Sequence, residues 1–231
     1  MATPAVELIE LAKLQLGEVG VGVFWSESEI QRWLNLGQRT MCIWKPGSYV
    51  HTAWVPLVKG PRQTVPSAPV TCLGVFDVTR NDPEHGGALS LVERKDLPPS
   101  WTSAVVVDGI GVEHWMYLPA DPKTFWIYPA YDEPTDNKLE LICPAVAPDV
   151  DVYLADNSLA PAPACASVSV DDTDALLNYV LGRACLKQTD HGVRERAAFF
   201  LQQYLVALGK GREAAMMANP QRILNVQGEQ V

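Results

Sequence analysis

The hydrophobic residues of this chain repeat with a helical period at both ends and with a strand period in the middle. Up to the pair Pro46-Gly47 the apolar residues recur every three or four positions. From Tyr49 to about Cys143 they alternate, in short runs separated by Gly, Pro, Asn and Asp, and from residue 171 the helical spacing returns. A period near 3.6 predicts amphipathic helices and a period of 2 predicts half-buried strands. The pattern therefore predicts an α+β fold.

Two helices are expected before the strands. The first covers Pro4 to Leu16 and ends at Gly17, and the second has Ser26 as its N-cap with Glu29 completing a capping box. Several apolar stripes compete on the first helix, and the best of them is Leu8, Leu11, Ala12 and Leu16. The residues expected on the apolar side of the second helix are Ile30, Trp33, Leu34, Met41 and Trp44.

Two more helices are expected after the strands, joined by a short break at "TDHG". Asp171 or Asp172 should cap the third helix, and Gly209 should end the fourth. The residues predicted to be buried are Leu176, Leu177, Val180, Leu181 and Ala184 on the third helix, and Ala197, Phe200, Leu201, Tyr204, Leu205 and Leu208 on the fourth.

We therefore predict a four-helix bundle of two N-terminal and two C-terminal helices, with an inserted antiparallel β-subdomain and an extended C-terminal tail. Residues 145–170, which are rich in Pro and Ala, predict an extended connection with one short edge strand. The expected regions are the N-terminal helices at 1–46, the β-subdomain and connection at 47–170, the C-terminal helical hairpin at 171–211 and the tail at 212–231.

Composition excludes several classes of protein. The chain has 231 residues, of which 48% are hydrophobic and 19% charged, as in soluble globular proteins. No apolar run approaches the roughly 20 residues of a transmembrane helix, and the N-terminus lacks a signal-peptide pattern. We therefore expect no membrane partner and synthesis in a cytoplasm. The net charge of -9 opposes a surface that grips DNA phosphates, although it suits a protein that lets DNA pass.

Catalytic and metal-binding motifs are missing from the sequence. The five cysteines are widely spaced, without a C-x-x-C pair, which argues against disulfides and zinc and favours small buried hydrophobes. Cys143 with His114 is an arithmetically possible nucleophile and base, but the apolar neighbours of Cys143 should raise its thiol pKa. The acidic pairs at 171–172 and 132–133 fit a helix N-terminus and a turn. No catalytic residue, metal or cofactor is expected.

The stretch "HWMYLPADPKTFWIYP", His114 to Pro129, admits three interpretations: a stacking platform for bases, a ligand pocket, or the core of a β-hairpin. Few basic residues accompany its aromatic ones, which argues against base stacking. If "ADPKT" is a turn, alternation gives two faces, one with Trp115, Tyr117, Phe125 and Ile127 and the other with Met116, Trp126 and Tyr128. One face should be core, and a neighbouring molecule should cover the other.

Four segments carry a family resemblance. They are "WSESEIQRWLNLGQRTMCIWKPGSY", "LVKGPRQTVPSAPVTCLGVFDVTRN", the hairpin stretch, and "ALLNYVLGRACLKQTDHGVRERAAFFLQQYLVALGKGREA". In order from Trp25 to Ala214, they resemble the head-to-tail adaptor (connector) proteins of tailed bacteriophages, especially the short-tailed ones. The matching positions are Trp25, Ser26, Glu29, Trp33, Leu34, Asn35 and Gln38 in the first segment, with Gly37 in place of Ala, and Asp121, Pro122, Thr124, Phe125, Tyr128 and Pro129 in the hairpin, where Ala130 replaces a second Pro.

The resemblance implies a non-catalytic structural protein of the virion neck, made in the host cytoplasm. Such adaptors form a ring, usually a dodecamer, that joins the portal protein to the tail or nozzle protein and lines the channel through which DNA passes without specific binding. Their C-terminal tail binds the portal, which here implies Arg212, Met216, Met217, Arg222, Ile223 and Leu224. Two alternatives remain: a neck or tail-completion protein that binds the tail and not the portal, and a small cytoplasmic hydrolase using Cys143 or a carboxylate pair.

Overall fold

The computed structural model divides the chain into two compact units. A helical unit contains residues 1–49 and 146–215, and a β-unit contains residues 50–145. Within the residues that the structure describes, the fold is α+β, with four α-helices and mostly antiparallel sheets, as the sequence predicts. The described residues are 3–18, 24–84, 86–101, 111–131, 137–161, 163, 165–188 and 191–217, of which 191–193 and 210–217 are described by their backbone.

Helices flank a central block of strands along the chain. The elements are β1 (Thr3–Pro4), α1 (Ala5–Leu16), α2 (Glu27–Trp44), β2 (Val50–Pro56), β3 (Gly60–Thr64), β4 (Asp77–Asn81), β5 (Ser90–Leu91), β6 (His114–Tyr117), β7 (Thr124–Tyr131), β8 (Lys138–Pro144), β9 (Ser167–Val168), α3 (Thr173–Lys187) and α4 (His191–Met217). Among the described helices, none is long and apolar enough to cross a membrane.

The first two helices begin and end close to the predicted residues. Gly17 ends α1 with a φ of 80°, a left-handed conformation that favours glycine, and the Ser26 hydroxyl accepts a hydrogen bond from the Glu29 amide at 3.2 Å. The predicted stripes are wrong at two positions, because Leu11 is 41% exposed and Trp44 is 50% exposed. The buried side of α1 is instead Ala5, Leu8, Ile9, Ala12 and Lys13.

The C-terminal helices follow the prediction more closely on α3 than on α4. Asp172 caps α3 by accepting a hydrogen bond from the Ala175 amide at 3.1 Å, and all five residues predicted to be buried on α3 are buried. On α4, Ala197, Tyr204 and Leu208 are buried, but Leu205 is 63% exposed. The helix also continues through Gly209 to Met217, so the predicted C-cap is wrong.

The predicted connection, residues 145–170, belongs almost entirely to the helical unit. Its residues from 146 onward lie in that unit, and the short strand β9 pairs with β1 in an antiparallel register that places Thr3 opposite Val168. This pairing adds a strand at the N-terminus, beside α1, that the helical pattern of the first residues does not indicate.

The β-unit contains two sheets. Strand β8 lies between β2 and β4 in a three-stranded antiparallel sheet, and the second sheet has the order β3-β7-β6-β5, with β5 parallel to β6. On the inner face of the first sheet, Leu139, Leu141 and Cys143 of β8 are fully buried. Alternation along β8 therefore sets which face of this sheet is core.

The hairpin of β6 and β7 has the two predicted faces. Trp115 lies opposite Ile127 and Met116 opposite Trp126, so the two pairs point to opposite sides of the sheet. The face with Trp115, Tyr117, Phe125 and Ile127 is buried, with exposed fractions of 8% or less. On the other face Met116 is buried, whereas Trp126 and Tyr128 are only half-buried.

One prediction about the cysteines is wrong. Cys72 and Cys143, which are 71 residues apart in the chain, form a disulfide. Cys72 forms an isolated antiparallel bridge with Ala145, next to the end of β8, and this pairing brings its sulfur atom to that of Cys143. Spacing along the sequence could not indicate this pair, since sheet pairing and not local sequence makes the two residues neighbours. The expectation of small buried hydrophobes is confirmed for Cys42 and Cys185, whereas Cys165 is only half-buried.

Candidate functional site

The side chains predicted to bind the portal belong to the C-terminal end of the chain. Arg212, Met216 and Met217 lie on the last turns of α4, which continues as a helix to Met217. Arg222, Ile223 and Leu224 lie outside the described residues. The predicted tail thus begins as a continuation of α4.

The candidate catalytic groups serve other purposes in the structure. Cys143 is bonded to Cys72 and carries no free thiol. Burial raises the pKa of the Cys42 and Cys185 thiols, which keeps both protonated at neutral pH. Asp172 caps α3, while the acidic pair at 132–133 and the side chains of His85 and His191 lie outside the described residues. In the part of the chain that the structure describes, no three His, Cys, Asp or Glu side chains converge as metal ligands.

Exposed apolar side chains mark two faces of the helical unit. The outward face of α1 has Leu11 and Leu14, which are 41% and 68% exposed, together with the exposed carboxylates of Glu7 and Glu10. We call these four residues the α1 face. The outward side of α4 has the exposed residues Arg196, Phe199 and Val206, which we call the α4 face, whereas the exposed Arg194 and Leu205 lie on a different side of the helix. Apolar side chains grouped in this way are typical of protein–protein interfaces.

The β-unit has a more polar outward face on its three-stranded sheet. The Arg80 guanidinium donates to both carboxylate oxygens of Glu140, at 2.9 and 3.1 Å, and lies 5.4 Å from the ring centroid of Trp54, which is 41% exposed. The Thr79 hydroxyl donates to the same carboxylate at 2.6 Å. Hydrogen bonds from Arg80 first and Thr79 second lower the pKa of Glu140. This cluster fixes an aromatic ring and an ion pair at the surface.

A polar stripe on α2 was not predicted. Asn35 donates to the Val150 carbonyl at 2.9 Å and accepts from the Val150 amide at 2.8 Å. Gln31 makes the same pair of contacts with the backbone of Tyr153, at 3.1 and 2.7 Å. We call Gln31, Asn35 and Gln38 the amide stripe. The signal that could have identified it is the spacing of three amides at i, i+4 and i+7, in a chain that also has a long Pro- and Ala-rich segment whose backbone groups need partners.

Gln38 and its neighbour Gly37 also join α2 to other parts of the helical unit. Gln38 accepts a hydrogen bond from the Ser169 amide at 3.0 Å. A Cβ at Gly37 would lie 2.5 Å from the Leu176 side chain and 2.8 Å from that of Tyr179, so glycine permits the close approach of α3. The family-like residues Asn35 and Gln38 therefore bind the backbone of their own chain, and Gly37, which departs from the family pattern, permits the close packing of α3.

The comparisons with known proteins agree with the resemblance seen in the sequence. A family model described as the SU10 adaptor protein matches residues 3–224. No curated protein shows a significant match. The model covers nearly the whole chain and confirms the predicted likeness to phage head-to-tail adaptors. The chain therefore belongs to the SU10 adaptor protein family, which makes it a structural adaptor of a phage virion.

Proposed function

We propose that this protein is the head-to-tail adaptor of the virion neck, where a ring of copies, a dodecamer as in related adaptors, joins the portal vertex to the tail. The observation that carries the proposal is the family match over residues 3–224. In this arrangement the ring lines the channel for DNA ejection. A net charge of -9 supports passage without binding, because phosphates are held by cationic surfaces.

Each part of the chain has a role in this proposal. The four helices form the bundle that builds the ring, and the β-unit faces the tail or nozzle protein. Support for the second role comes from the hairpin, where the half-buried Trp126 and Tyr128 leave aromatic surface for a partner. Residues 212–231 bind the portal through Arg212, Met216, Met217, Arg222, Ile223 and Leu224.

Electron microscopy of the protein mixed with the portal of its phage tests the proposal. We expect a coaxial ring below the portal. If the protein instead joins tails and leaves portals bare, it is a neck or tail-completion protein, and the adaptor proposal fails.

Deletion of residues 213–231 tests the role of the tail. The shortened protein should keep the circular dichroism and thermal melting of the full chain and lose the ring on the portal. A matched control is Leu159→Ser, which removes a 61% exposed apolar side chain from the connection and should bind normally. Ring formation by the truncated protein would show that residues 213–231 are not the portal-binding segment.

A further inference from the structure

Strand β2 lies at an edge of the three-stranded sheet, and one side of its backbone faces away from β8. Leu57, just after the strand, donates its amide to the Asn137 carbonyl at 3.2 Å, so the odd-numbered residues of β2 bond to β8. The amides and carbonyls of Val50, Thr52 and Trp54 therefore point away from the sheet. Within the described part of the chain, no residue forms a hydrogen bond with these groups.

The free edge of β2 lacks the features that usually protect such an edge. Natural sheets guard a free edge with charged residues, proline, bulges or a covering segment. From Val50 to Pro56 the strand contains no Lys, Arg, Asp or Glu, and its pairing with β8 is regular over seven residues. Pro56 is the last residue of the strand, so the three outward amides before it remain. An edge of this kind is a template for a further extended strand.

The other edge strands of the β-unit are covered, guarded or short. Residues 87–89 cover β4 and form two backbone hydrogen bonds with it, at 3.0 and 3.1 Å. β3 contains Pro61 and the charged Arg62, and a bulge interrupts its register between Gly60 and Arg62. β5 has only two residues. Among the described strands of this unit, β2 is therefore the one with a long, regular and uncharged edge.

The outward residues of β2 are complementary to the same residues of a second copy. If two copies of the strand pair in antiparallel fashion with Thr52 opposite Thr52, Val50 of each copy lies opposite Trp54 of the other. Pairs of threonines, and pairs of an aromatic with a β-branched residue, are among the stabilising cross-strand pairs. Val50 and Trp54 are 44% and 41% exposed, so each has apolar surface that the other can cover. The two strands bring no like charges together in this register.

From this self-complementarity we infer that the free protein forms a two-fold symmetric dimer through the edge of β2. The pairing joins two three-stranded sheets into one continuous sheet, and each outward residue exchanges two backbone hydrogen bonds with the residue opposite it. It also covers an edge that would otherwise promote aggregation. A contact of this isologous kind closes on itself. It therefore cannot repeat around the proposed ring, and it belongs to the protein before assembly.

Charge substitutions at Thr52 in the full-length protein test both the interface and its register. Because residue 52 faces itself in the dimer, Thr52→Lys places two like charges opposite each other, and Thr52→Glu does the same. Each variant alone should dimerise about fivefold more weakly than the wild type, as measured by analytical ultracentrifugation. An equimolar mixture of the two variants should restore dimers, since lysine then faces glutamate. Thermal melting of each variant checks that it is folded.

A proline at the same position should have a larger effect. Thr52→Pro removes an outward amide, and with it both hydrogen bonds of the central pair, so it should abolish the dimer. Edge strands tolerate proline where the amide faces solvent. The matched control is Thr52→Val, which keeps the amide and a β-branched side chain and should dimerise nearly as the wild type does.

Three results would overturn the inference. They are a wild type that is monomeric at every concentration, a dimer that Thr52→Lys and Thr52→Pro leave unchanged, and a mixture of the lysine and glutamate variants that dimerises no better than either variant alone. The last result would exclude the register with Thr52 opposite itself. None of these outcomes bears on the proposed adaptor function, which is tested separately on the portal.

Discussion

The helical unit and the β-unit join their elements by different kinds of contact. In the helical unit, side chains of α2 bind the backbone of the connection, and Asn35 alone makes two hydrogen bonds to Val150. In the β-unit, backbone pairing of β8 with β2 and β4 joins the strands, and the Cys72–Cys143 disulfide adds a covalent link. One buried side chain, Asn81, also bonds to the amide and carbonyl of Val112, at 2.9 and 2.8 Å.

This difference sets how freely side chains can change in each unit. A backbone ladder accepts many side chains, so the outer faces of the sheets can change to suit a partner. A side chain that binds backbone, or a glycine that permits close packing, has few substitutes. The helical unit therefore carries residues that specify the fold, such as Asn35, Gln38 and Gly37, whereas the β-unit has more freedom to specify a partner.

Reduction of the disulfide should have the largest effect, and it should fall on the β-unit. The link closes a loop of 71 residues, and such a loop gives about 4 kcal/mol of stabilisation by the chain-entropy account. Dithiothreitol should lower the free energy of unfolding of the β-unit by about that amount. Hydrogen exchange read separately on β8 and on α3 measures the effect in each unit.

The control for this experiment is Cys165→Ser, which removes a free thiol from the helical unit and should change neither unit. Equal acceleration of exchange in β8 and α3 would mean that the two units unfold together, and that the disulfide does not stabilise the β-unit alone.

The next largest effect is expected for Gly37→Leu in the helical unit. Because even a Cβ would lie within 3 Å of Leu176 and Tyr179, a leucine must push α2 and α3 apart, at a cost of about 3 kcal/mol. Gly209→Leu is the matched control, since nothing lies within 4 Å of a Cβ there and leucine favours helix. Urea unfolding followed by circular dichroism should separate the two variants. Equal stability would disprove the close-packing role of Gly37.

Local patterns predicted the order of elements and the faces of the hairpin. Alternation fixes that Trp115 and Phe125 share a side, whatever the rest of the chain does. The caps at Ser26 and Asp172 were equally local, because a cap depends on residues within one turn. The family resemblance was also visible in the sequence, because each of its motifs is a continuous stretch of the chain.

Contacts between distant residues could not be predicted in this way. The amide stripe could not be recognised from the sequence, because its partners are backbone groups of Val150, Tyr153 and Ser169, far along the chain. Leu11 and Leu205 looked like core residues because an apolar residue at the right spacing does not reveal whether its partner belongs to the same chain. Of the candidate interfaces, the portal-binding residues stay a prediction, and the α1 and α4 faces emerged only once the covered sides of these helices were known.

A smaller effect is expected when the amide stripe is interrupted. Asn35→Leu leaves the amide and carbonyl of Val150 without their side-chain partners, which should cost about 2 kcal/mol. The Val150 amide should also exchange faster with solvent. The control is Arg32→Ala, which changes an exposed side chain of the same helix and leaves the amide stripe intact. A neutral Asn35→Leu variant would show that the side chains of α2 do not hold the connection.

The smallest effect should come from the outer face of the β-unit and should depend on pH. Arg80 and Thr79 lower the folded-state pKa of Glu140, whereas the unfolded chain has a carboxyl pKa of about 4.3. The ion pair therefore stabilises the fold above that pH, and its contribution is lost as the pH falls through the lower folded-state pKa. Arg80→Gln should reduce the melting temperature slightly at pH 7, and its difference from the wild type should disappear as the pH falls through the folded-state pKa of Glu140. Trp54→Leu removes the ring beside Arg80 and keeps the ion pair, so this variant should retain the wild-type pH dependence. A constant difference between Arg80→Gln and the wild type across this pH range would show that the Glu140 carboxylate contributes nothing, and that the contact of Arg80 with Trp54 supplies the whole effect.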